Sequence, residues 1–274
     1  MQFAINWSSE ASELLEARTI QVDMFKCPDW DDVVSPAQAQ LPSYVHFPLQ
    51  IGTQQHLTWD FDDIEKWLNN TATRFVNCHI TPKIEAHPAD ISYDALIPEL
   101  STQVQRLVDA FGAERVIIEN CPYFAGNVEK GYLRHSTNPQ LFHDIIAETK
   151  CGFLLDMSHQ VLVCDYLGWS FEEAISALPT AHIREFHVTG IGTRLTGVIG
   201  DHMPMTERDW AHLDFCVAQF ESGKWQLPEV FAFEYGGIGM LRDLCGSDRD
   251  VIAEQVPRFY EIVQGLNHSV TMLQ

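Results

Sequence analysis

The sequence of 274 residues predicts an α/β fold, a single (β/α)8 TIM barrel occupying residues 1–274 as one domain. Three observations predict it. Eight short apolar segments of strand length recur along the chain, stretches with helix signals lie between them, and most of the segments end in a histidine or a carboxylate. Alternating strands and helices favour a parallel sheet with helices packed around it. Eight such units favour closure into a barrel of about 250 residues, which gathers its chemistry at the C-terminal ends of the strands.

Taken in order, the predicted strands are residues 2–6, 19–25, 43–49, 74–80, 115–119, 152–156, 183–188 and 230–235. Each is an apolar run too short for a helix of ordinary length. Residues 26–40, with Pro28, Trp30, Asp31, Asp32 and Pro36, follow the second strand and read as a loop on the active-site face. Helices are predicted at residues 60–70 and 95–111 from apolar spacings of three and four. Thr137-Asn138-Pro139 then supplies a cap and an early proline ahead of Leu141, and Ser170-Phe171-Glu172-Glu173 reads as a capping box. Residues 189–205, rich in glycine and methionine, read as a second active-site loop. The last helices fall at residues 206–221 and 251–266, where Pro257 is expected to introduce a kink.

Composition narrows the function classes. With 46% hydrophobic residues the chain can bury a large core, and none of its apolar runs reaches the roughly 20 residues of a membrane span. The seven cysteines are odd in number and form no C-x-x-C pair, which suits reduced thiols in the cytoplasm better than a disulfide framework. The N-terminus enters a strand without a basic region or cleavage site, so a cytoplasmic location is expected. A net charge of -21, from 17 basic and 38 acidic residues, argues against a nucleic-acid partner.

The strand ends carry the functional signal. They read Tyr44-Val45-His46, Asn77-Cys78-His79, Ile118-Glu119, Leu155-Asp156, Phe186-His187 and Phe233-Glu234. Together with His159, Asp201 and His202 they give nine candidate metal ligands: His46, His79, Glu119, Asp156, His159, His187, Asp201, His202 and Glu234. Nitrogen and oxygen donors suit zinc, iron or manganese. Four of the nine are carboxylates, and two like charges about 4 Å apart repel by about 4 kcal/mol at an effective dielectric of 20. Two or three divalent ions would relieve that repulsion better than one.

Glu119, Asp156, His187 and Glu234 are the expected catalytic groups. Lys26 is the candidate anion contact, and Asn120 and Trp30 are further substrate contacts. Glu185, two residues before His187, shares its strand face, where it serves either to orient a ligand imidazole or as a core glutamate paired to a barrel basic group. His56, His87, His135, His143, His182, His212 and His268 fall in predicted loops or helices and read as surface or loop histidines. Cys78 alternates away from the His79 face and reads as a small buried hydrophobe.

With these residues in line, the chain resembles the xylose-isomerase-like superfamily of barrels. Within it the chain is most similar to the multinuclear non-haem iron-dependent oxidative enzymes, which modify peptides using oxygen. The resembling stretches are His46-Phe47-Pro48-Leu49-Gln50-Ile51-Gly52, Val116-Ile117-Ile118-Glu119-Asn120, Cys151-Gly152-Phe153-Leu154-Leu155-Asp156, Arg184-Glu185-Phe186-His187-Val188-Thr189-Gly190 and Asp201-His202-Met203-Pro204. The resemblance implies an iron cluster held by His46, His79, Glu119, Asp156, His187, His202 and Glu234, with Asp201 as a further candidate. Three departures stand out: His159 replaces an asparagine usual in the oxidative family, Asp201 and His202 are adjacent instead of one residue apart, and Asn77-Cys78-His79 stands in place of Ser-Glu-His.

The function expected is therefore an iron- and oxygen-dependent oxidoreductase acting on a peptide or thiol, the peptide being delivered by a separate partner protein. A metal-dependent sugar isomerase or epimerase is the second reading, with Zn or Mn in place of Fe. An endonuclease-IV-like phosphodiesterase and a non-catalytic metal-binding protein are the third and fourth.

Overall fold

The strands form where β-branched and aromatic residues alternate with few polar interruptions. The structure, a computed structural model, describes residues 1–271. Its strands are β1 (Gln2–Asn6), β2 (Met24–Cys27), β3 (Ser43–Val45), β4 (Leu49–Ile51), β5 (Val76–Ile80), β6 (Val116–Glu119), β7 (Gly152–Asp156), β8 (Ile183–Val188), β9 (Gly190–Thr193), β10 (Ile199–Met203) and β11 (Val230–Phe233). The chain divides into two compact units, one made of Met1–Val45 with Arg184–Gln274 and the other of His46–Ile183.

In the first unit the parallel strands run in the order β3-β2-β1-β11-β8. Asn6, Lys26 and Tyr44 stand in one cross-strand row, and His187 stands opposite Ala232. Neighbours in register on parallel strands share a face, so this row points its side chains one way. Behind the strands Phe3, Phe186, Phe231, Phe233 and Phe259 are fully buried, with Phe233 and Phe259 stacked at 4.4 Å between ring centroids.

The second unit orders its parallel strands β7-β6-β5-β4, with Phe75, Ile117 and Leu154 clustered in its core. Its helices start where the chain supplies side-chain caps. Asp60 accepts from the amides of Asp62 and Asp63, Ser92 accepts from that of Ala95, and Asn138 precedes Pro139 at the first helical position.

Five sequence expectations change. The segment 19–25 is not one strand: Arg18 adopts a left-handed φ of 57° and the Thr19 amide closes back on Leu14, so helix exit consumes residues 18–23 and the strand begins at Met24. The segment 43–49 splits into β3 and β4, because Pro48 has no amide to donate and the Phe47 backbone is held by Asn77 instead of a ladder. Residues 31–38 of the first predicted loop form a helix with Pro36 inside it. Residues 189–205 form the antiparallel hairpin of β9 and β10. Ser170 does precede a helix, Phe171–Ser176, but its side chain makes no cap bond; burial of Phe171 and Ile175 holds that short segment.

A candidate metal centre and a buried ion-pair chain

In the second unit β4, β5, β6 and β7 bring five of the nine candidate ligands together. Glu119 closes β6 with its side chain 1% exposed, and its Oε2 lies 3.1 Å from His79 Nε2 and 3.6 Å from His46 Nε2. Ligand atoms of His46, His79 and Glu119 all fall within 4.8 Å of one another. The two imidazoles are 17% and 22% exposed, so this triad has a buried carboxylate floor and a solvent-facing imidazole side. The other oxygen, Glu119 Oε1, lies 3.4 Å from His159 Nδ1, and His159 Nε2 lies 3.6 Å from Asp156 Oδ2.

Backbone partners fix these side chains. His79 Nδ1 faces the Leu49 carbonyl at 3.3 Å and His159 Nδ1 faces the Asn120 carbonyl at 2.7 Å, contacts that place a proton on Nδ1 and the lone pair on Nε2. Asp156 is also the N-cap of the helix Met157–Leu167: its Oδ1 accepts from the His159 amide at 2.7 Å. That bond explains the spacing of Asp156 and His159, because a cap carboxylate reaches the third helical amide.

Two asparagines act as clamps. Asn77 accepts from the Phe47 amide at 2.7 Å and donates to the Phe47 carbonyl at 3.0 Å, and its Nδ2 lies 3.1 Å from His46 Nε2. Asn120 accepts from the Asp156 amide and donates to the Asp156 carbonyl, both at 2.8 Å. Asn120 is thus a buried backbone clamp, although it was expected as a substrate contact. The Asn77 clamp was missed; its signal was the two-residue spacing to His79, which puts both on one strand face.

The first unit holds the other candidates in a different state. Lys26, expected in a loop, lies within β2, is 7% exposed, and its ammonium donates to Glu234 Oε1. Glu234 Oε1 also lies 3.0 Å from His187 Nδ1. His187 Nε2 is 2.6 Å from Glu185 Oε1, which accepts the Tyr44 hydroxyl at 2.7 Å. Burial and the Lys26 charge lower His187, but Glu234 and Glu185 outweigh them and raise its pKa to about 10. Burial raises Glu234, yet His187 and Lys26 hold it well below the usual carboxylate range. The partnership of Lys26 with Glu234 was not legible in the sequence.

Asp201 and His202 sit where β10 takes an extra residue against β9, between Gly200 and Met203. His202 adopts a φ of 60°, a conformation in which a side chain is strained, and its Nδ1 donates to the Glu234 carbonyl at 2.8 Å. A bulge of this kind re-aims side chains. It sends Asp201 to the Arg194 guanidinium, which pairs with its carboxylate. Gly190 is required where the hairpin begins, since a Cβ there would lie 1.9 Å from the Pro204 carbonyl oxygen.

The remaining expectations place simply. Trp30 is 46% exposed at the start of the helix Asp31–Gln38. Cys78 is buried and donates to the Ile117 carbonyl, and all seven cysteines are free thiols. His87 lies in a loop, buried at 4%, with Nδ1 2.9 Å from Glu99. No helix among the described residues is long and apolar enough to cross a membrane.

The family model of the RiPP precursor modification enzyme MbnB/TglH/ChrH matches residues 34–225. That span contains all of the candidate ligands except Glu234, and it omits Lys26 and Trp30. No curated protein matches the chain. Among solved structures it is similar to a D-psicose 3-epimerase from Clostridium cellulolyticum H10 with D-tagatose, at 10% identity over 97% of this chain and 99% of that one, with a TM-score of 0.61. The IolI protein with a bound zinc atom is similar at 12% identity, 97% and 99% coverage and a TM-score of 0.61. A xylose isomerase domain protein from Planctomyces limnophilus follows at 12% identity, 98% and 97% coverage and 0.55. At these identities the likeness shows the fold, and it is the α/β barrel predicted from the sequence. The chain belongs to the RiPP precursor modification enzyme MbnB/TglH/ChrH family, carried on a xylose-isomerase-like TIM barrel.

Proposed function

We propose that this protein is an iron- and oxygen-dependent oxidative enzyme whose substrate is a thiol-bearing precursor peptide. The family match carries the reading, because it names peptide modification and spans His46, His79 and Glu119. The donor set supports iron: two imidazoles and one carboxylate with open positions are the ligands of many non-haem iron oxygenases. The same set serves catalytic zinc elsewhere, so the metal is decided by experiment.

In this reading His46, His79 and Glu119 would hold one ion, and Glu119 with Asp156 and His159 would hold a second, which accords with the central place of Glu119 among three imidazoles. When bound, iron supplies the redox chemistry between dioxygen and a thiolate. The protein's own share is positioning. Asn77 and Asn120 hold the backbone at Phe47 and Asp156, so that His46 and the Asp156 carboxylate do not drift when the peptide docks. The partial exposure of His46 and His79 leaves the substrate an approach from solvent, and buried Glu119 keeps the far side dry. A separate protein is proposed to present the peptide.

The test is oxygen consumption. Protein reconstituted with iron without air, then mixed with a cysteine-containing precursor peptide and oxygen, takes up oxygen and changes the peptide mass. The zinc form does neither, since zinc has no redox chemistry. Oxygen-independent turnover of a sugar by the zinc or manganese form would overturn this assignment in favour of an epimerase.

A further inference from the structure

We propose that Lys26 is a built-in cation that takes the place of a metal ion at Glu234, closing the first unit's carboxylate cluster without metal. The inference rests on the reading that the chain carries metal, and it revises the part of that reading that includes Glu234.

The observations form one chain of contacts. Lys26, Glu234, His187, Glu185 and Tyr44 are all buried, with Lys26 at 7% the most exposed. Lys26 donates to Glu234, His187 faces Glu234 through Nδ1 and Glu185 through Nε2, and Tyr44 donates to Glu185. A ring nitrogen that donates to a carboxylate cannot also present its lone pair to a metal. His187 has a carboxylate oxygen within 3.0 Å of each nitrogen, whereas His79 and His159 turn Nδ1 to a backbone carbonyl at 3.3 and 2.7 Å and have a single carboxylate facing Nε2, Glu119 at 3.1 Å and Asp156 at 3.6 Å. The first arrangement is that of an ion-pair chain; the second is that of ligating histidines.

Lys26 is fixed in this role by the fold. It lies inside β2, in register with Asn6 and Tyr44, so its stem is held by the sheet. Asn6 donates to the Glu234 carbonyl at 2.8 Å and so fixes the residue that Lys26 pairs with. A buried ammonium is costly unless paired, and so is a buried carboxylate, which makes each the condition for the other. Removing Lys26 would leave Glu234 with its cation demand restored. Both residues lie outside the span that matches the family, so the pair is a feature of this chain beyond the matched region.

The experiment is a metal count. Wild-type protein, Glu234→Gln, Lys26→Met and the double variant are loaded with Zn(II) and, separately, with Fe(II) without air. Each is desalted and analysed by elemental mass spectrometry, with circular dichroism to confirm folding. Glu234→Gln is expected to carry the same metal as wild type. Lys26→Met is expected to carry one equivalent more, and the double variant to lose that extra equivalent. Loss of an equivalent in Glu234→Gln alone would overturn the proposal while leaving the metal reading in place. Folded Lys26→Met with unchanged metal would overturn it as well. Metal missing from every form would sink both. If Lys26→Met does not fold, the Glu234→Gln count decides alone.

Discussion

Replacing Asn120 with alanine removes both bonds that hold the backbone of Asp156, the donation to its carbonyl and the acceptance from its amide, each 2.8 Å long and buried. The Asp156 amide loses its acceptor in a site where Asp156 is 0% exposed, while its carbonyl, at the N-cap of the helix Met157–Leu167, keeps the helix's first bond. At about 1–3 kcal/mol for a buried group left without a partner, the loss of unfolding free energy is about 1–3 kcal/mol. A water entering the vacated space brings the value toward the lower end. Urea unfolding of metal-free protein, followed by circular dichroism, measures it directly. The same variant is expected to bind Zn(II) about 10–100-fold more weakly, the usual cost of removing a group that orients a ligand. Asn120→Asp keeps the acceptor but sets a carboxylate against the Asp156 carbonyl, and is expected to lose at least as much. A stability change under about 0.5 kcal/mol, the range of ordinary surface substitutions, with zinc affinity unchanged, would refute the clamp.

Three other outcomes are expected. Glu119→Gln and His79→Ala lower metal content in a folded protein, whereas His143→Ala and His212→Ala leave it unchanged; equal losses in both pairs would mean that the ligand set is misassigned. His159→Asn, the residue usual in the resembling family, is expected to weaken the second ion without removing the first, as read by zinc titration, and an unchanged titration would confine His159 to a structural role. The third concerns pH. His187 has a pKa raised to about 10, so the native state holds an extra proton between the unfolded value and that one. Its contribution is complete below about pH 6.5, the unfolded value, and is lost as the pH rises toward 10. Glu234, held low, contributes in the opposite sense, fully above the ordinary carboxylate pKa and less as the pH falls through its own. Unfolding free energy of metal-free protein is therefore expected to fall from neutral pH to about 10, and His187→Gln to flatten that decline; an unaltered slope in the variant would contradict it.

The strands that were legible are those whose apolar runs stop at a polar residue. Ile117-Ile118-Glu119 and Phe153-Leu154-Leu155-Asp156 end where the structure ends them. Where chain geometry overrides local pattern, the reading slipped. Residues 19–23 alternate like a strand, but the left-handed turn at Arg18 uses them to leave a helix. Strand β2 also runs on to Cys27, two residues past the predicted end, which puts Lys26 inside it, and its pairing with Glu234, 208 residues away in sequence, left no local trace. The hairpin of residues 190–203 was hidden for a similar reason, since its bulge at Asp201 and His202 breaks the two-residue period that would have marked it. The central triad was readable because His46, His79 and Glu119 each stand at or just beyond a strand end, and strand ends are what a sequence shows best.

The most direct measurement is a crystal structure of protein loaded with Fe(II) without air, with anomalous data collected on both sides of the iron edge. The account predicts an iron peak between His46, His79 and Glu119, a second beside Asp156 and His159, and no metal bound by Glu234 while Lys26 is paired with it. Iron absent from the His46, His79 and Glu119 set, in crystals where iron is bound elsewhere or not at all, would contradict the account.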